Sequence, residues 1–246
     1  MIAYLAIWII FNNLYESTPL QPGWGFSAWV EADSTVILFD TGSDGRILLA
    51  NMQLLDLDPR RIDLVFLSHP HWDHSGGLQE VMRVTGKEMP VYIPASAEES
   101  FRKEFPGISF TGLEQSLEIR RGIYSTGELL TTYGNEQLPE QALVLSTPHG
   151  NIIITGCAHP GIDAIVEKTK QIFPIQEIYL VTGGFHLGSA TRYQIDQKVE
   201  SLKTAKVQYV APSHCTGNLA IEIFQEQWGN KYLDLSLGKK FILRGK

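Results

Sequence analysis

Ser68-His69-Pro70-His71-Trp72-Asp73-His74-Ser75-Gly76-Gly77-Leu78 gathers three histidines and an aspartate within six residues. The stretch follows a continuous apolar run, Ile62 to Leu67, of the kind expected of a strand buried on both faces. Gly76-Gly77 opens a helix that runs through Val84. Extended backbone places residues i and i+2 on one side, so His69 and His71 converge on one metal, and the turn that follows swings Asp73 and His74 toward a second. Imidazole nitrogen and carboxylate oxygen suit zinc, manganese or iron. The plain alternative makes Asp73 or Ser75 a helix cap, but it crowds ionisable groups together with nothing to hold.

Working outward, other predicted strands also end on polar or histidine-bearing turns. Ile7 to Phe11, Gly25 to Glu31 and Thr35 to Phe39 read as strands, the last ending in Asp40-Thr41-Gly42. Leu48 to Leu57 has helical spacing, closed by Asp58-Pro59. Pro90 to Ile93 reads as a strand, Ser96 to Glu104 as a helix, and residues 108 to 147 as several strands broken at Gly112, Gly122 and Gly134. Ala142 to Ser146 and Asn151 to Thr155 flank His149-Gly150 as a hairpin, and the second of these ends in Gly156-Cys157-Ala158-His159. A helix over Ile162 to Ile172 follows. A strand over Glu177 to Thr182 leads to Gly183-Gly184-Phe185-His186, and after a helix over Tyr193 to Leu202 a strand over Val207 to Ala211 leads to Pro212-Ser213-His214. Four buried strands thus end at a histidine, and in layered α/β architectures ligands bind beyond the carboxyl ends of strands. With no linker or low-complexity tract, residues 1–246 are expected to form a single domain of two packed α/β halves.

Composition fits an enzyme-like domain: 43% hydrophobic and 19% charged residues. The formal net charge of -7, without any Lys/Arg block, argues against a nucleic-acid partner. The apolar start, Met1 to Phe11, is too short to span a bilayer and lacks the flanks of a targeting segment, so no membrane partner is expected. Cys157 and Cys215 are expected as reduced thiols of a cytoplasmic protein. A homo-oligomer is compatible with all of this.

The His-x-His-x-Asp-His pattern at residues 69–74, Phe39-Asp40-Thr41-Gly42 upstream and the later strand-end histidines resemble the metallo-β-lactamase superfamily over essentially the whole chain. The resemblance implies an α/β fold, a four-layer αββα sandwich, with two divalent transition metal ions at one edge. It implies a first metal on His69, His71 and His159, a second on Asp73, His74 and His214, and a supporting rather than ligating Asp40. Where many members carry a bridging aspartate this chain has Cys157, which leaves two arrangements. In one, His159 is the third histidine and no carboxylate bridges the metals; in the other, Cys157 is a ligand and His149 takes the third-histidine place.

Gly156-Cys157-Ala158-His159-Pro160-Gly161-Ile162, Gly183-Gly184-Phe185-His186-Leu187 and Pro212-Ser213-His214-Cys215-Thr216-Gly217 resemble, more narrowly, the metal-dependent hydrolases related to an archaeal dihydropterin–ribofuranosylaminobenzene phosphate synthase. His186 lies outside the general ligand scheme and either binds a substrate oxyanion from the rim or supports a neighbour. Gly122 to Glu128 resembles a loop of that subfamily that closes the pocket, and Trp24, Trp72 and Phe185 are candidate pocket walls.

Two cations a few ångströms apart lower the pKa of a shared water, so the implied nucleophile is hydroxide, oriented by Asp73. The implied activity is a metal-dependent hydrolase acting on a phosphorylated, ester or lactone-type small-molecule substrate. The alternatives are a transferase joining a dihydropterin-methyl diphosphate to an arylamine, and a metal-binding protein without catalysis. A diiron oxidoreductase fits less well, because its relatives usually carry glutamate where this chain has His71.

Overall fold

The apolar N-terminal run forms β1 (Tyr4–Asn12), which pairs antiparallel with β2 (Phe26–Ala32), and β2 pairs with β3 (Thr35–Phe39). Helix α1 (Gly45–Leu54) then leads to β4 (Leu64–Phe66). A short helix α2 (Trp72–Ser75) crosses the histidine motif, followed by α3 (Leu78–Thr85), β5 (Val91–Pro94), α4 (Glu98–Glu104) and β6 (Phe110–Leu113). β7 (Leu117–Arg120) and β8 (Ile123–Ser125) open the second sheet. A separate hairpin, β9 (Leu129–Tyr133) with β10 (Glu136–Glu140), interrupts it before β11 (Leu143–Thr147) and β12 (Gly150–Thr155). Then come α5 (Ile162–Ile172), β13 (Ile178–Gly184), α6 (Arg192–Thr204), β14 (Tyr209–Ser213), α7 (Asn218–Trp228) and β15 (Lys240–Arg244). This computed structural model describes residues 1–245.

The first sheet has the order β15-β1-β2-β3-β4-β5-β6 and the second β14-β13-β12-β11-β8-β7. Three hydrophobic layers follow from the alternation of side chains along these strands. The central layer joins the sheets: Phe26, Phe39 and Phe66 of the first meet Leu143, Leu145, Ile152 and Ile154 of the second. One outer layer packs α1, α3 and α4 on the first sheet through residues such as Leu48, Met52, Val81 and Phe101. The other packs α5, α6 and α7 on the second through Ile165, Val166, Ile195 and Phe224. The result is a helix–sheet–sheet–helix stack, the architecture the motif pattern implies. Among the described residues no helix is long and apolar enough to cross a membrane.

Several boundaries differ from the sequence reading. Helix α1 starts at Gly45 rather than Leu48 because the Asp44 side chain accepts hydrogen bonds from the backbone N–H groups of Arg46 and Ile47. β13 and β14 run on through Gly184 and Ser213, since parallel pairing continues across Gly183↔Pro212 and Gly184↔Ser213. The stretch Gly122 to Glu128 is no pocket cover: it contains β8, bonded on both sides within the second sheet. Phe185 is no pocket wall either, being buried against Phe224 in the outer core.

Candidate metal centre

Parallel pairing runs through β3, β4, β5 and β6 in one sheet and β12, β13 and β14 in the other, so the carboxyl ends of these strands share an edge. The backbone there is unusual. Asp40, Ala158, His186 and His214 are non-glycine residues with φ of 52°, 60°, 51° and 49°. Left-handed φ at such residues is uncommon and costs energy that surrounding contacts must offset. All four lie just beyond a strand end, where the turn aims a side chain across the edge.

Two donor groups result. One ligand atom each from His69, His71 and His159 lie within 4.8 Å of one another, as do those of Asp73, His74 and His214. His69 Nε2 and His71 Nδ1 are 3.2 Å apart, and the His159 ring centroid lies 4.8 Å from each of theirs. The structure therefore brings together all six residues that the resemblance groups as ligands. Asp73 and His74 do so from one turn of α2, with His71 as its extended N-cap.

Buried oxygens fix the rings from behind. Asp40 accepts from the backbone N–H and hydroxyl of Ser68, both at 2.7 Å, and stands 2.7 Å from His74 Nδ1. An ionised carboxylate can only accept, so His74 carries its proton on Nδ1 and leaves Nε2 bare. The Ser68 hydroxyl, having given its proton to Asp40, accepts from His69 Nδ1 at 2.8 Å. His214 Nδ1 meets Asn13 Oδ1 at 2.6 Å. Glu140, fully buried, accepts from the backbone N–H groups of Cys157, Ala158 and His159 and faces His159 Nδ1 at 2.9 Å. Oxygen behind one ring nitrogen is the arrangement that orients metal-bound histidine.

The charge states agree. Burial, reinforced by His74 and His159, pushes the His69 imidazole well below its ordinary value, keeping its lone pair available. Burial acts to raise the Asp73 carboxyl, but contact with His214 and the charge of His74 outweigh it and hold the group at about 2. Burial likewise opposes ionisation of Glu140, and its bonds with His159 outweigh that and lower it. His214 Nε2 is buried with no hydrogen-bond partner and lies 3.4 Å from Asp73 Oδ2, which is also 3.7 Å from His74 Nε2. Burial acts to lower the His74 imidazole, but Asp40 and Asp73 outweigh it and raise it. Two imidazoles and a carboxylate converging in a buried space need a proton or a cation between them, and this nitrogen and oxygen set fits divalent metal.

Of the two arrangements left open, the one with His159 as third histidine matches the grouping of His69, His71 and His159, and the one with His149 needs correction. His149, in the β11–β12 turn, is remote, its Nε2 lying 3.0 Å from the carbonyl oxygen of Arg244 at the end of β15, so it cannot be the third histidine. Yet Cys157 Sγ reaches the cluster beside His159, 3.2 Å from His74 Nε2, as a thiol that burial pushes well up. His186 is exposed at the rim, its ring 4.4 Å from that of His159, and contact with Cys215 raises its imidazole against the opposing effect of burial. Glu140, Asn13 and Ser68 went unread in the sequence, as did Tyr133, whose ring lies 5.3 Å from His71 and 5.1 Å from His159. The one signal was a lone acid, Glu140, in the otherwise uncharged run Leu138 to Leu145.

An αββα fold with histidines and an aspartate at its strand-end edge defines a metal-site hydrolase-like class. The family model of the metallo-β-lactamase superfamily matches residues 22–214, and the chain belongs to that superfamily. It is 31% identical, over 91% of its own length and 91% of the relative's, to the 7,8-dihydropterin-6-methyl-4-(β-D-ribofuranosyl)-aminobenzene-5'-phosphate synthase of Methanocaldococcus jannaschii. An uncharacterized protein of the same organism is 27% identical over 87% of this chain and 91% of that one. Among solved structures, a metal-dependent hydrolase of the β-lactamase superfamily superposes with a TM-score of 0.80 at 27% identity, covering 98% of this chain and 99% of that one. A diphosphatase of the PhnP family shares the fold, with a TM-score of 0.65 at 15% identity, covering 99% and 98% of the two chains.

Proposed function

We propose that the protein is a cytoplasmic metal-dependent hydrolase of small phosphorylated, ester or lactone-type molecules, built as one domain. The observation that carries this reading is the pair of three-residue donor groups meeting at one cavity of about 240 Å³. His69, His71 and His159 would hold one divalent ion and Asp73, His74 and His214 the other, with zinc, manganese or iron all suited to such donors. Bound metals supply Lewis acidity and an activated water. Asp73, ionised and lining the cavity, would orient the attacking water and accept its proton. His186, at the rim and with its imidazole raised, binds negative charge developing on the substrate. Asp40, Ser68, Glu140 and Asn13 keep the imidazoles in one tautomer and one orientation. Cys157 and Cys215 are free thiols, in keeping with a reducing compartment.

A second reading is favoured by the 31% identity with the synthase across nearly its whole length. There the same residues would bind the diphosphate of a dihydropterin while an arylamine attacks in place of water. Metal content by plasma mass spectrometry, run with a phosphodiester, lactone and dihydropterin diphosphate panel, tests both. About two transition metals per chain and metal-dependent turnover in water alone support the hydrolase. Turnover that requires an added arylamine supports the transferase, and a metal-free chain that cannot be reconstituted refutes both.

A further inference from the structure

Three large aromatic side chains stand half out of solvent contact at the mouth of the same cavity: Trp24, Trp72 and Tyr133 are 54%, 62% and 50% exposed, and all three line it. Single exposed apolar residues are ordinary, but several around one concave site mark a binding surface. They frame both donor groups. Tyr133 stands edge-on over His71 and His159, with its ring 5.7 Å from that of His186. Trp24 lies against His214 at 5.2 Å, and Trp72 follows His71 directly in the chain.

The element that carries Tyr133 has no place in either sheet. β9 and β10 bond only to each other, and a lone two-stranded hairpin is marginal in water. It is fixed at its base: Leu129 packs on the outer core, and Glu140, the last residue of β10, accepts the backbone N–H groups of residues 157–159. The hairpin thus rises from the metal loop and holds a ring over it.

Charge points the same way. None of the ten residues lining the cavity is lysine or arginine, so apart from His186 and whatever metal the donor groups would hold, nothing there clamps an extended anion. Recognition of the rest of the substrate must come from apolar and π contacts. We infer that Trp24, Trp72 and Tyr133 form an aromatic frame that holds a flat unsaturated ring of the substrate beside the donor cluster, which makes Trp24 and Tyr133 specificity-determining residues. This rests on the hydrolase reading for the reacting group and adds the class of its substituent: an aryl or heteroaryl ring on the phosphoryl or acyl group.

Phenylphosphonate and cyclohexylphosphonate carry the same non-hydrolysable anion on a flat and a puckered ring of similar size. Binding of each to the zinc-loaded protein is measured by calorimetry. The flat ring is expected to bind about fivefold or more tightly, the scale of one or two aromatic contacts. Trp24→Leu and Tyr133→Leu should each reduce that preference, chiefly by weakening phenylphosphonate, and far-ultraviolet circular dichroism reports that the variants fold. Tyr133→Phe should keep it. Equal affinities in the parent protein, a preference that survives both leucine variants, or no binding of phenylphosphonate would overturn the frame. Those outcomes leave the hydrolase reading to its own turnover assay, and an aryl preference without turnover would sustain the frame while refuting the hydrolase.

Discussion

Replacing His71 or His214 by alanine removes one donor from a different three-residue group, so each variant should lose about one metal ion per chain by plasma mass spectrometry while keeping its far-ultraviolet circular dichroism. His149→Ala should keep its metal, because that imidazole bonds to the Arg244 carbonyl away from the cluster. Full retention by both of the first pair would refute the ligand assignment. Glu140 makes a subtler case. Its carboxylate accepts from three backbone N–H groups and faces His159, so Glu140→Gln must turn an amide N–H₂ toward donors or leave one unmet. A metal affinity reduced roughly 10- to 100-fold is expected, as for other partners behind a ligating histidine; a zinc competition titration that leaves the affinity unchanged would show that Glu140 serves only the loop. At this scale the candidate donors that the structure brings together were legible because four of them sit within six residues and the rest close predicted strands. Their supports were not: Glu140 lies 19 positions from His159 and Asn13 lies 201 from His214. Hydrogen bonds across such separations leave no spacing to read.

Elements were legible where periodicity is strong and hidden where a single side chain or a close approach decides. The apolar runs that became β3 and β12 and the helix over Ile162 to Ile172 were read to the residue, or one short at the start of β12, since buried strands and amphipathic helices write their period into the chain. The Asp44 cap moved α1; the strand break at Gly134 between β9 and β10 was legible, but that this hairpin stands apart from both sheets was not, because the mostly polar or exposed Leu129 to Tyr133 carries no mark of which strand it pairs with. Close approach shows best at Gly156, beyond β12. A Cβ there would fall inside contact distance of Ser68 Oγ and reach 3.0 Å from Asp40 Oδ2. The serine has little freedom to retreat, since it bonds at once to Asp40 and His69. Gly156→Ala should therefore cost about 1–3 kcal/mol of stability, as overpacking in a tight interior does, and should weaken metal binding by disturbing His69 and His74 together. Urea unfolding with an unchanged midpoint would show that the strand end shifts freely.

At the scale of the molecule, the donor set joins the two halves. His69, His71, Asp73 and His74 follow β4 of the first sheet, while His159 and His214 follow β12 and β14 of the second. The halves are tied elsewhere too: the central hydrophobic layer runs between the sheets, and Gln141 donates from its backbone N–H to the Ser68 carbonyl and from Nε2 to that of Leu67. Metal removal should therefore loosen the shared edge without unfolding the chain. Metal that binds only the native state stabilises it by about 2.7 kcal/mol at a hundredfold excess over Kd, and for a chain of this size each kcal/mol moves Tm by roughly 2–4 °C. Dialysis against a chelator should lower Tm by roughly 5–10 °C, leave the helix and sheet content intact, and be reversed by zinc. The convergence of His74, His214 and Asp73 gives this prediction its sign, because in the metal-free protein only protons, including that of the Cys157 thiol beside His74 Nε2, offset it. A Tm that stays constant after metal loss has been verified would mean that protons or water satisfy these donors as well as a cation does, and that the edge is organised for something other than metal.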